Sequence, residues 1–475
     1  MGRNGHGRGQ TSASVPGMAR SPRARRLWRR IPATLAGVLV LALVGGYWYA
    51  RPLLLTGTGY AAHNACALTF VAERTNPDTD LPPNPLVPYL RTTVDRDTGT
   101  AQASLLGLLS KQTAYYTPGY GCTVTDRKPA LKTATAVAEG VNPFTAAPHP
   151  TATKAVDAAV AQAFGDDLAP AAKTALGTRA VIVVQDGHLI AERYADGFTA
   201  QTRQLGWSMT KSVGSLLAGR LAAQGKLALT DAALRPEWTD ARKDITVDQL
   251  LRMTSGLQWD ETYDLGTPIT RMLFTEPDMA GYAASLPLAH ASGTVQQYSS
   301  GSTNILCSVL QRKASRDGIP ADPDFAEREL LAPLGLTSAV LETDATGLPV
   351  CSSYLWATPR DWAAIGQFAL DNGRWNGAQL LPENWMAQTT AIHKVDQTDD
   401  PPFAASWRSN TLPDGTLFDP KLPKDAYWAQ GHDGQWLVVV PSAKLVVVRM
   451  GFSPKADDLR VNTLVAALAA LPQGG

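Results

Sequence analysis

Two valine-rich segments, far apart in the chain, constrain the fold most. "RAVIVVQDGHLIAERY", Arg179 to Tyr194, sets two β-rich runs on either side of Asp186-Gly187. That pair favours a two-residue hairpin turn, because both central residues tolerate positive φ. "QWLVVVPSAKLVVVRMG", Gln435 to Gly451, repeats the device around Pro-Ser-Ala-Lys. The middle, about 208–390, reads mostly as helix and loop. Helices are also expected at "TKAVDAAVAQAFG" and at "ADDLRVNTLVAALAAL". Strands at both ends of a helical region predict an antiparallel β-sheet built from both ends and flanked by helices. A second, mostly helical lobe completes an α+β fold.

The N-terminus sets a different constraint. Residues 1–30 hold eight arginines, and the first acidic residue is Glu73. "IPATLAGVLVLALVGGYWYA", Ile31 to Ala50, follows without a charge. Such a run is about the length that crosses a hydrocarbon core of about 30 Å. The basic flank stays in the cytoplasm, which sends everything after Arg51 outward. Tyr47, Trp48 and Tyr49 suit the membrane–water interface. The rival reading, a cleaved signal peptide, needs a shorter apolar region and a small-x-small site. The long run and its three terminal aromatics favour an uncleaved anchor.

Four segments are therefore expected. Residues 1–30 form a disordered basic tail in the cytoplasm, and 31–50 a single transmembrane helix in the lipid bilayer. Residues 51–150 form an extension packed on the main domain, Pro-rich at "NPDTDLPPNPLVP", with strand-like stretches at "RTTV" and "QTAYY". Residues 151–475 form that domain, periplasmic or extracellular. "VNPFTAAPHPTAT", with three prolines, reads as the loop before it. A formal net charge of +1 gives no global reason to expect nucleic acid as a partner.

All four cysteines, Cys66, Cys122, Cys307 and Cys351, fall in the exported part. An even number there is compatible with two disulfides. The sequential pairing is Cys66 with Cys122 and Cys307 with Cys351. The other two pairings, and buried free thiols, stay open. The seven histidines include no H-E-x-x-H, so neither a metal nor another cofactor is expected.

In "LGWSMTKSVGSLLAGRLAAQGKL", Ser208 and Lys211 stand three apart near the start of a helix. Residues i and i+3 share a helix face. A lysine there can take the serine's proton once burial disfavours its charge. The serine's own N–H, near the positive end of the helix dipole, can point into an oxyanion hole. Roughly one S-x-x-K is expected by chance in a chain this long, so the motif is weak alone. "QQYSSGSTNIL" adds Tyr298, a candidate general base and acid. "WAQGHDGQWLVVV" adds His432-Asp433-Gly434 directly before a strong strand. Gly434 permits close backbone approach, and the Gln435 N–H can complete an oxyanion hole. The acids Asp260 and Glu261 could mimic a carboxylate base on a loop, but a solvated acidic turn is the commoner explanation. Trp207, Trp259, Trp428 and Trp436, all beside motifs, are candidates to wall an apolar cleft, although core packing is the commoner role for each taken alone.

These motifs together resemble the serine hydrolase superfamily of class C β-lactamases and penicillin-binding proteins. "GWSMTKS", "LLRMTSGLQWDETY", "YSSGSTN" and "AQGHDGQ" resemble the branch that contains 6-aminohexanoate-dimer hydrolase. The resemblance covers about 150–475, and "CALTFVAER" and "GYGCTV" extend it toward Cys66. It implies an α/β/α sandwich and a Ser208 acyl-enzyme. Lys211 and Tyr298 then activate the hydroxyl and protonate the leaving group. The N–H groups of Ser208 and Gln435 hold the oxyanion. His432, Gly434, Ser300 and Tyr263 border the substrate, a small amide or ester.

Two departures carry information. Ser300 stands where β-lactamases place Asn, and His432 where they place Lys. Both changes weaken the case for β-lactam hydrolysis and leave nucleophile, base and oxyanion hole untouched. A β-lactamase or D-amino-acid peptidase is the enzymatic alternative. A non-catalytic envelope protein that binds ligands with a hydrolase fold is the alternative of another class.

Overall fold

The computed structural model describes residues 22–74, 80–135, 137–315 and 322–471, with side chains from Leu35 onward. Two compact units are present, Met1–Pro52 and Leu53–Gly475. In the first unit the described chain is helical, the start of α1, Pro22–Phe70. Residues 35–46 of it are all exposed and carry no charge. By length and composition this helix is apolar enough to cross a membrane. The expected disordered tail lies outside the described residues up to 21. From Pro22 to Arg30 the chain is helical instead. Arginine and leucine are good helix formers, and extending an existing helix is cheaper than starting one.

The helix does not stop at the end of the uncharged run. Its last turns belong to the second unit, where Ala61, Ala62, Cys66 and Leu68 are buried. They pack on a four-stranded antiparallel sheet of β1 (Leu90–Asp95), β2 (Thr100–Leu105), β3 (Leu109–Thr117) and β4 (Gly121–Val124). "RTTV" and "QTAYY" fall in β1 and β3, as expected. The Cys66–Cys122 disulfide ties α1 to β4. Glu342, fully buried, ties both to the body of the unit. It accepts from Trp356 Nε1 at 2.8 Å and Cys122 N at 2.6 Å, and it pairs with His63 Nε2 at 3.0 Å.

The body follows in chain order. Helix α2, Lys154–Ala163, is capped by the Thr153 hydroxyl, which accepts from Val156 N. The hairpin of β5 (Thr178–Gln185) and β6 (His188–Tyr194) turns where expected, with φ of 49° at Asp186 and 75° at Gly187. A largely helical stretch then runs through α3 (Met209–Ala223), α4 (Ser300–Ala314) and α5 (Pro359–Leu370). It is followed by β7 (Arg408–Ser409), β8 (Tyr427–Gly431), β9 (Gln435–Val440), β10 (Leu445–Gly451) and α6 (Val461–Ala469). The six strands form one antiparallel sheet in the order β7-β8-β9-β10-β5-β6. The chain's two valine-rich ends thus meet as neighbours, β10 beside β5.

Strand alternation divides the core in two. Ile182, Val184, Leu437, Val439, Val446 and Val448 face α3 and α5. Val181, Val183, Val438, Val440, Leu445 and Val447 face α2 and α6. The result is a sandwich of helix, sheet and helix, with a helical lobe around α4. Of the two readings of Trp428 and Trp436, core packing holds and the cleft wall does not: they stack on each other at 6.0 Å, Trp428 in the core under α2 and α6 and Trp436 packed against it. They lie on the sheet face opposite Trp207, because their strand positions have the other parity. Helix α3 is buried on nearly every side, which a sequence rich in Leu, Ala and Gly permits. It carries Lys211 into that interior.

Candidate active site

Ser208 is the residue just before α3, and the backbone leading to it is constrained. A Cβ on Gly206 would lie 2.1 Å from the buried Trp362 ring, so only glycine fits there. Trp207 holds a φ of 49°, a left-handed conformation that bulky residues rarely adopt. Its ring is buried and makes edge contacts with Tyr60, Tyr263 and His432, at 6.0, 6.2 and 5.7 Å. Tight packing of this kind over-determines a strained residue. The outcome is a half-buried Ser208 side chain on the first turn of a buried helix.

Lys211 is 1% exposed. Three oxygens surround its Nζ within hydrogen-bond distance. Ser208 Oγ lies at 2.9 Å, Ser300 Oγ at 2.8 Å and the Ser352 carbonyl at 2.9 Å. Among the described residues no carboxylate pairs with it directly. Glu261 sits one hydroxyl away. Its Oε1 accepts from Ser300 Oγ at 2.5 Å, and its Oε2 from Ser300 N at 2.9 Å and Trp259 Nε1 at 2.5 Å. The acidic turn read as solvated is therefore corrected at Glu261, which grips the start of α4. Its signal was Trp259, an indole N–H two residues upstream that needs an acceptor.

Tyr298 enters from the other side. Its ring centroid is 4.9 Å from Lys211 Nζ and 5.3 Å from the Arg408 guanidinium. Phe403 stands edge-on to the ring, and the Tyr298 N–H donates to Asp399 at 3.0 Å. Ser299 caps α4 by accepting from Ser302 N at 3.0 Å. The Cys307–Cys351 disulfide joins α4 to the segment that offers the Ser352 carbonyl. That carbonyl could not be read from side-chain patterns.

The turn at His432-Asp433-Gly434 closes the site from the sheet. The chain end of β8 passes so near Ser208 that a Cβ on Gly431 would lie 2.1 Å from the Gly206 carbonyl. Asp433 and Gly434 then take φ of 56° and 94°. His432 stacks on Tyr263, with centroids 4.4 Å apart and planes 13° apart. Burial and the nearby Glu261 charge push the Tyr263 hydroxyl well above the usual range. Gly434 faces backward instead. Its carbonyl accepts from Arg449, which also donates to the Leu176 carbonyl, Thr178 Oγ1 and Ser453 Oγ. Burial pushes the Arg449 guanidinium down to about 9. Gln435 anchors the strand start through its side-chain amide, which bonds both N and O of Gly451.

Ser208, Lys211 and Ser300 are thus directly bonded, Tyr298 lies over the lysine, and His432 with Tyr263 forms an aromatic wall beside Trp207. Trp207 and Trp259 stand at this site as expected. The arrangement is one in which a buried lysine nitrogen touches the half-buried hydroxyl of Ser208.

The profile of the family described as Beta-lactamase matches residues 157–471. A 6-aminohexanoate-dimer hydrolase of Paenarthrobacter ureafaciens is 23% identical over 304 residues, 59% of this chain and 74% of that protein. A Bacillus anthracis structure assigned as a 6-aminohexanoate-dimer hydrolase superposes with a TM-score of 0.54 at 18% identity, over 70% of this chain and 88% of that one. A class C beta-lactamase gives a TM-score of 0.50 at 18% identity, over 68% and 96%. The two structural likenesses bear on the fold.

Proposed function

This chain belongs to the Beta-lactamase family and is a serine hydrolase of that superfamily, and from that premise we propose that it cleaves an amide or ester bond through an acyl-enzyme on Ser208. The observation that carries the reading is the 2.9 Å contact between the buried Lys211 Nζ and Ser208 Oγ. In the proposed reaction Ser208 Oγ attacks the substrate carbonyl as its proton passes to Lys211 or Tyr298. The N–H groups of Ser208 and Gln435 receive the developing oxyanion. Collapse breaks the bond to the leaving group, which takes up that proton. Water then attacks the acyl carbon, giving its proton back through the same pair. Release of the acid restores the serine hydroxyl.

The 6-aminohexanoate dimer named for the Paenarthrobacter relative supports an amide as the substrate class. Ser300 and His432 stand where β-lactam hydrolysis calls on Asn and Lys, so the reading favours ordinary amides and esters. We place the enzyme outside the cytoplasm, held by residues 31–50. The apolar helix and the two disulfides support that location.

Treatment with a fluorophosphonate and intact-mass measurement, beside Ser208→Ala, tests the nucleophile. One adduct on the wild type, absent from the variant, is expected. No adduct on a folded protein removes the catalytic reading and leaves a ligand-binding protein with a hydrolase fold.

A further inference from the structure

A cavity of ≈ 220 Å³ adjoins the site, and the extension supplies much of it. Gly57 and Tyr60 of α1 line one side. Leu86 lines the second, Leu265 and Phe274 the third, and His432 with Tyr263 closes the end toward the sheet. A chain of ring contacts links this wall to the residue before the candidate nucleophile. Phe274 stacks on Tyr60 at 4.6 Å, Tyr60 meets the edge of Trp207 at 6.0 Å, and Trp207 precedes Ser208. From this geometry we infer that the cavity receives an uncharged, apolar acyl chain of the substrate, and that Gly57 and Leu86 set its length. The inference rests on Ser208 being the nucleophile.

The chemistry of the walls selects the class. Among the described residues no lysine or arginine lines the cavity, and its one carboxylate, Asp264, is exposed at the margin. The one lining side chain able to carry a positive charge, His432, already faces Asp433 at 3.5 Å, so an anionic tail has no free counter-charge, and burying it unpaired is costly. An apolar tail gains by leaving water. The volume exceeds the roughly 150 Å³ of an engineered apolar cavity that takes benzene, so a medium alkyl or aryl group fits. The acyl side is assigned from the Trp207 end of the site, where Tyr60, Tyr263 and His432 meet the ring that precedes Ser208, while Tyr298, the proposed proton donor to the leaving group, lies elsewhere. It sits against Phe403 and Arg408 instead.

Gly57 marks the place where the cavity is held open. A Cβ there would come 3.3 Å from Leu265 Cδ2 and 3.4 Å from Leu86 Cδ1, so a larger side chain occupies the space between them. The test uses the full chain in lipid nanodiscs with p-nitrophenyl acetate, butyrate, hexanoate and octanoate, and with the hydrogen adipate ester. We expect kcat/KM to rise about fourfold per methylene until the cavity is full, and adipate to fall at least tenfold below hexanoate. Gly57→Leu should flatten the series by slowing hexanoate and octanoate at least tenfold relative to acetate. Leu86→Ala should move the optimum to a longer chain. Several results overturn the proposal while fluorophosphonate labelling persists: a flat wild-type series, adipate as good as hexanoate, or a length response seen only when the alcohol is lengthened. Loss of labelling together with loss of acetate turnover overturns the reading beneath it.

Discussion

Glu261 holds Ser300 by both carboxylate oxygens, one on its backbone N–H at 2.9 Å and one on its hydroxyl at 2.5 Å. The same hydroxyl accepts from Lys211 at 2.8 Å. A negative charge is therefore linked to the buried lysine through a single oriented O–H. Hydrogen bonds to charged groups contribute about 1.5–3 kcal/mol. Glu261→Gln is expected to lower kcat about tenfold or more, with a changed pH–rate profile. Ser300→Ala should lower it similarly, and the two losses should not add, because they break one chain. A double-mutant cycle on ester turnover checks this.

Tyr298 and Lys211 share one proton in the proposed reaction. Tyr298→Phe should cut kcat by about 10²–10⁴, the range for a positioned general acid–base. If Tyr298 serves water activation, the variant should accumulate a Ser208 acyl adduct visible by intact mass. Lys211→Met should slow labelling of Ser208 itself.

Arg449 stands behind the His432 turn with four oxygen partners and no exposed surface. Arg449→Met removes the donors and leaves the buried carbonyl of Gly434 unmet, while the Leu176 carbonyl keeps the Ser453 Oγ donor. Such an unmet group costs about 1–3 kcal/mol. A drop in Tm is expected, together with slower acylation, since the Gln435 N–H follows that turn. Thermal unfolding and single-turnover rates measure the two effects.

Glu327 gives a pH signature unrelated to chemistry. Burial first, then the Glu139 and Asp324 carboxylates, push it up to about 7. Its folded value lies above the unfolded value of about 4.3. The folded chain therefore binds a proton that the unfolded chain lacks between those values, and stability falls as pH rises through them. Glu327→Gln should raise stability at pH 8 by on the order of 2 kcal/mol and change little near pH 4. Urea titrations at the two pH values decide it.

Nitrocefin provides the last check. With Ser300 and His432 at the two positions discussed, its kcat/KM should fall at least a hundredfold below that of the preferred ester. Rapid turnover would assign the site to β-lactams.

Much of the architecture was legible because it follows short periodicities. Alternation and the Asp186-Gly187 turn locate one hairpin, and the Val-rich runs about Pro441 locate the other. The spacing of Ser208 and Lys211 locates a shared helix face. Contacts that depend on tertiary approach were not legible. Glu261 meets Ser300 across 39 positions, and Ser352 acts through a backbone carbonyl that any residue offers. Trp428 and Trp436 lie close to the motifs in sequence, yet strand parity turns their rings to the opposite sheet face. The end of α1 was hidden for another reason. Arg51 marks where the membrane run ends, but the low-charge, alanine-containing stretch after it does not show that the same helix continues to Phe70.

Thr56, Gly57 and Tyr60 line the same cavity as His432, so the stretch matched by the family profile, 157–471, is not a transferable part. Recombination that joined it to another leader would keep the serine, lysine and tyrosine and lose one wall of the cleft. Changes in the leader and in residues 263–274 are therefore exposed to selection jointly. Lineages of this enzyme should diversify by paired substitutions across that seam, with the leader inherited as a partner of the hydrolase and not as a detachable tether.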